Sequence, residues 1–109
     1  MSEPAGAIYS QLSDDPRMLG LLEMFVAELP QFTGKIALAF SRGDSAEVAR
    51  AAHGLKGAGG MHGFAVIADA ASDLERAVQL TADAGELKPL VDRVINLCGR
   101  ATASPRGRQ

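Results

Sequence analysis

From Asp15 to Arg42 the apolar residues Leu22, Phe25, Val26, Leu29, Phe32, Ile36 and Phe40 recur three and four apart, the period of a helix face. The spacing predicts a long amphipathic helix, capped by Asp14 or Asp15 with Pro16 in its first turn, and closed by Arg42 and Gly43. Pro30 removes one backbone donor inside that helix, so a kink is expected near Glu28 to Pro30. A second helix is expected from Asp44 or Ser45, with Ser45 as a suitable cap, through the segment VARAAHGLKGAGG. Its seam is Val48, Ala52 and Leu55, with Ala58 next in line. Glycines at 54, 57, 59 and 60 each cost a helix about 1 kcal/mol relative to alanine, so propensity alone would stop it early.

A third helix follows Gly63, with Phe64, Ile67, Ala71, Leu74 and Val78 on one stripe, and is expected to end between Asp83 and Gly85. A fourth is expected from about Glu86 to Ala101 on a seam of Leu87, Leu90, Val91, Val94, Leu97 and Cys98, with Pro89 in its first turn. Residues 1–14 hold only Ile8, Tyr9 and Leu12 as anchors and are read as a separate segment or a short extra helix; residues 102–109 are read as a disordered tail. Alternation of the kind a strand needs is absent. The fold class is therefore all-α, an antiparallel four-helix bundle over residues 15–101.

The length of 109 residues and 47% hydrophobic content suit one modest core. A net charge of -2 gives no reason to expect nucleic acid, which draws a basic surface. With Cys98 alone there is no intrachain disulfide, and without an apolar run of about 20 residues or a basic leader no membrane segment is expected. These features suggest a cytoplasmic protein.

On an ideal helix of about 100° per residue His53 lies on the outer flank, away from the seam through Ala52 and Leu55. Its neighbours one turn either side are Ala49, Arg50, Lys56 and Gly57, with Gly60 a turn further on. Small residues and two cations thus surround a nucleophile. A neutral imidazole attacks electrophiles, Lys56 and Arg50 would screen an arriving anion, and Gly57 and Ala49 would leave room for a second protein. Two plainer readings compete: a solvent-facing histidine beside a glycine-rich loop, or small residues that let a helix of the same chain pack closely.

The segment AAHGLKGAGGMHG followed by ADAASDLE resembles the histidine-containing phosphotransfer (HPt) domain family, through His53, Leu55, Lys56, Gly57, Gly63, Leu74 and Glu75. The upstream MFVAELPQF is similar as well. The resemblance, over about residues 15 to 98, implies that His53 carries a phosphoryl group, Lys56 stabilises it, Gly57 gives a partner access, and Glu75 orients the ring from the next helix. Ala49, Arg50 and Gly60 would then line the partner contact. Ala58 and Gly54 depart from the family pattern, where a small hydroxyl residue and a larger residue are usual. The implied partners are a receiver domain of a response regulator and a histidine or hybrid kinase, with no cofactor here and Mg²⁺ on the receiver.

No GxxxxGK[ST] loop occurs, so the expectation is a phosphotransfer intermediate and not a kinase, acting as a monomer. A metal site on His53, His62 and Cys98 is disfavoured, since a nine-residue histidine separation fits neither an i, i+4 pair nor a common zinc spacing. The remaining alternative is a helical adaptor that binds a signalling partner without being phosphorylated.

Overall fold

The structure, a computed structural model, describes residues 6–105. In chain order it contains a short strand β1 (Ile8–Tyr9), a 3₁₀ turn (Pro16–Met18), helices α1 (Leu19–Ser41), α2 (Ser45–Met61), α3 (Ala65–Leu80) and α4 (Ala84–Gly99), and a second strand β2 (Ala101–Thr102). Successive helices pack on each other and α4 closes on α1. Phe25 of α1 stacks beside His62, and Phe32, about two turns later, faces Gly54. As α1 advances, α2 is therefore met in reverse, which makes the pair antiparallel.

The seams read from periodicity meet in one core. Leu22, Phe25, Leu29 and Ile36 of α1, Val48, Ala52 and Leu55 of α2, Ile67, Ala71 and Leu74 of α3, and Leu87, Val91, Val94 and Leu97 of α4 are all buried. Each large apolar side chain removed from water contributes about 1.5–3 kcal/mol. Val26, Phe32, Phe40, Val78 and Leu90 are half-buried at the margin.

Helix ends differ from the sequence reading for local reasons. Asp15 caps the 3₁₀ turn, accepting from the Arg17 amide at 2.9 Å, so the α-helix proper starts at Leu19 and not Asp15. The helix then runs without interruption through Pro30. Asp44, not Ser45, caps α2 by accepting from the Glu47 amide at 3.1 Å. Gly43, at φ 68°, makes the reversal between the two helices. The third helix stops at Leu80, before the expected Asp83, because Thr81 turns extended and Asp83 caps the next helix through the Gly85 and Glu86 amides. That earlier start puts Pro89 beyond the first turn of α4, and the helix ends at Gly99 instead of Ala101.

The start of the chain is also corrected. Residues 8 and 9 form a strand and not an extra helix, pairing in parallel with Ala101 and Thr102, and the Ile8 amide donates to the Arg100 carbonyl at 2.8 Å. Two-residue strands carry no detectable period. Thr102, expected in the tail, belongs to this pairing; residues 1–5 of the expected N-terminal segment and 106–109 of the expected tail lie outside the described residues.

Candidate functional site

The second helix persists through all four glycines to Met61, against their propensity, so tertiary contacts must hold it. Gly59 is where α2 meets α3: it is buried, and a Cβ there would lie 3.5 Å from the Ala68 nitrogen and 3.6 Å from Ile67 Cγ2. The end of α2 is closed by the Phe64 amide, which donates to the Gly59 carbonyl at 2.8 Å, and by His62 Nδ1–H, which donates to the Ala58 carbonyl at 2.7 Å. The His62 ring also lies parallel to Phe25, with centroids 4.4 Å apart. His62 is thereby a structural residue of the helix end.

His53 points outward, its side chain 69% exposed. Glu75 reaches it from α3, which packs along α2: Glu75 Oε2 stands 2.9 Å from His53 Nδ1. The other carboxylate oxygen, Oε1, lies 3.6 Å from Lys56 Nζ. An ionised carboxylate can only accept, so the ring proton sits on Nδ1 and donates to Glu75, leaving the lone pair on the exposed face at Nε2. In this tautomer Nε2 is the ring nitrogen with an available lone pair. With the side chain of Glu75 only 18% exposed, the carboxylate is anchored at the α2–α3 junction while the ring it holds is open.

The other residues singled out from sequence fall into two groups. Gly57 and Gly60 are exposed, and a Cβ on either would meet nothing within 4 Å. They do not serve internal packing, in contrast to Gly59. Gly54 is exposed too, its open side bordered by Phe32 Cε1 at 3.9 Å from a Cβ position. Ala49 is half-buried. Arg50 turns to Glu47 on its own helix, forming an ion pair one turn before His53, whereas Lys56 is joined to Glu75.

Cys98 is buried far from this face in the α4 seam, and burial pushes its thiol up to about 12. Among the described residues no group of three or more His, Cys, Asp or Glu side chains converges as a metal site would require. Likewise, among the described residues, no helix is long and apolar enough to cross a membrane. Sequence reasoning missed the contacts that support α2 from outside its own segment: the Phe25–His62 stack and the hydroxyl of Ser10, which donates to the His62 carbonyl at 2.6 Å. Gly63 was the one available signal, since a glycine just past a helix end marks a left-handed turn.

Compared with known proteins, residues 20–102 match the family model of the Hpt domain. No curated protein and no solved structure matches the chain.

Proposed function

The chain belongs to the Hpt domain family, whose members are the phosphocarriers of two-component phosphorelays, and on that premise we propose that His53 is the residue that carries the phosphoryl group. The observation that carries this reading is the exposed ring held at Nδ1 by Glu75, which leaves Nε2 free beside the open face of Gly57 and Gly60. His53 Nε2 attacks the phosphorus of an aspartyl phosphate on a receiver domain. The N–P bond forms, the P–O bond to the aspartate breaks, and the receiver keeps its carboxylate; the reverse step returns the group. The proton stays on Nδ1 throughout, donated to the Glu75 carboxylate, which balances the positive charge that the ring acquires on phosphorylation.

Lys56 neutralises the incoming anion, and Gly57 and Gly60, with Ala49 and Arg50 at the border, let the receiver approach to in-line distance. Mg²⁺ on the receiver supplies electrostatic catalysis there, and this chain contributes no metal. The phosphoryl group reaches the relay from a histidine or hybrid kinase, and the carrier works as a cytoplasmic monomer. The test is the site of attachment. After phosphorylation by an acetyl-phosphate-charged receiver, long-range ¹H–¹⁵N correlations of the histidine rings should place phosphorus on His53 Nε2 with Nδ1 still protonated; phosphorus on Nδ1 would contradict the role given to Glu75.

A further inference from the structure

The strap formed by residues 8–12 precedes the segment matched by the family, residues 20–102, yet it is bonded to the end of the His53-bearing helix. Ser10 is only 1% exposed. Its Oγ donates to the His62 carbonyl at 2.6 Å and accepts from the Leu12 amide at 2.9 Å, and the Gln11 amide donates to the Gly63 carbonyl at 2.8 Å. At its other end the strap is fixed to the chain after α4 through the β1–β2 pairing. Gly63 is shaped to receive it: φ is 79°, and a Cβ would fall 2.6 Å from Ser10 Oγ.

Helices leave their last carbonyls without partners, and a run containing Gly57, Gly59 and Gly60 has little intrinsic tendency to keep its final turns. The strap meets the chain where that tendency fails. We propose that it is a clamp on the phosphocarrier helix, with Ser10 as a positioning residue that keeps the glycine-rich end of α2 folded and its open face flat for the receiver. Removing the hydroxyl leaves the half-buried His62 carbonyl and Leu12 amide without their partner, a loss that raises local opening about tenfold. His53 lies over two turns back along α2, and Glu75 reaches it from α3, so their contact is kept. The clamp thus governs partner docking and leaves the stability of the phosphohistidine alone.

The functional half of this inference rests on the phosphocarrier reading, and the structural half does not. Amide hydrogen exchange of the full chain compares wild type, Ser10→Ala and Val94→Ala, the last a core change on α4 that lowers global stability without touching the strap. In Ser10→Ala the amides of Gly59, Gly60, Met61 and His62 should exchange about tenfold faster, with those of Ala70 to Leu74 unchanged; Val94→Ala should accelerate both sets together. The receiver concentration for half-maximal transfer should rise in Ser10→Ala while phosphohistidine half-life stays at the wild-type value. Equal acceleration of α2 and α3 in Ser10→Ala, or none in α2, overturns the clamp. Should Ser10→Ala fail to fold, Ser10→Cys, which keeps a weaker donor, carries the same comparison. If the wild type accepts no phosphoryl group, the phosphocarrier reading fails while the exchange data still decide on the clamp.

Discussion

Replacing Gly57 by glutamine separates stability from function, because the two should move in opposite directions. The position lies mid-helix in α2, is exposed, and offers open space to a side chain. Glycine costs a helix about 1 kcal/mol relative to alanine and glutamine lies close behind alanine, so the variant should be about 0.5 kcal/mol more stable. For a domain of this size that corresponds to about 2 to 4 °C in Tm. The new side chain nevertheless stands one turn from His53, on the face that a receiver would have to approach. Transfer from a phosphorylated receiver should fall at least about tenfold, since small displacements from in-line geometry are costly. Thermal unfolding by circular dichroism and a timed transfer assay measure both quantities on one preparation. A variant that transfers at the wild-type rate would refute the access role of Gly57, and one that is less stable would refute the description of open space around it.

Three further outcomes follow from particular contacts. Glu75→Gln keeps an acceptor for His53 Nδ1–H but loses the countercharge and should slow transfer less than Glu75→Ala, which loses both and should slow it by about fivefold to tenfold, the worth of about 1 kcal/mol of hydrogen bonding; equal rates in both would remove the ring-orienting role. Gly63→Ala must adopt a left-handed φ and displace Ser10, so it should lose about 2 kcal/mol in urea unfolding, and an unchanged midpoint would contradict the fit of the strap. The Cys98 thiol, pushed up to about 12 by burial, is neutral in both folded and unfolded chains below the ordinary thiol range. Above that range only the unfolded chain ionises, so its contribution to stability is intact at neutral pH and is lost as pH rises toward 12. At pH 8 a thiol reagent should label Cys98 only after unfolding, and Cys98→Ala should flatten the alkaline limb of the stability profile; rapid labelling of the native chain would show that the site is not closed.

The parts of the fold that were legible in the sequence are those governed by local period. Leu22, Phe25 and Leu29, or Leu87, Val91 and Val94, repeat on one face whatever surrounds them, and they are buried. The outward direction of His53 was legible for the same reason, as it follows from the helical turn and the position of Leu55. What the local pattern could not reveal depends on register between distant elements. Glu75 meets His53 across the α2–α3 contact, in a register shared with the packing of Gly59 beside Ile67 and Ala68. The persistence of α2 through its glycines rests on Phe25, Phe64 and Ser10, none of which lies in that helix. Asp83 was within reach, since an aspartate three residues before Glu86 is a capping signal, but Pro89 drew the predicted start of α4 two residues too late.

The central claim concerns one residue, His53, and a label decides it. Wild-type protein, His53→Gln and His62→Gln are each incubated with a receiver carrying labelled phosphate, then tested for acid-labile, base-stable label on the carrier. The account predicts label on the wild type and on His62→Gln, whose ring supports the helix end without taking part in transfer, and none on His53→Gln. Label that persists on His53→Gln, or that disappears only with His62, would contradict it.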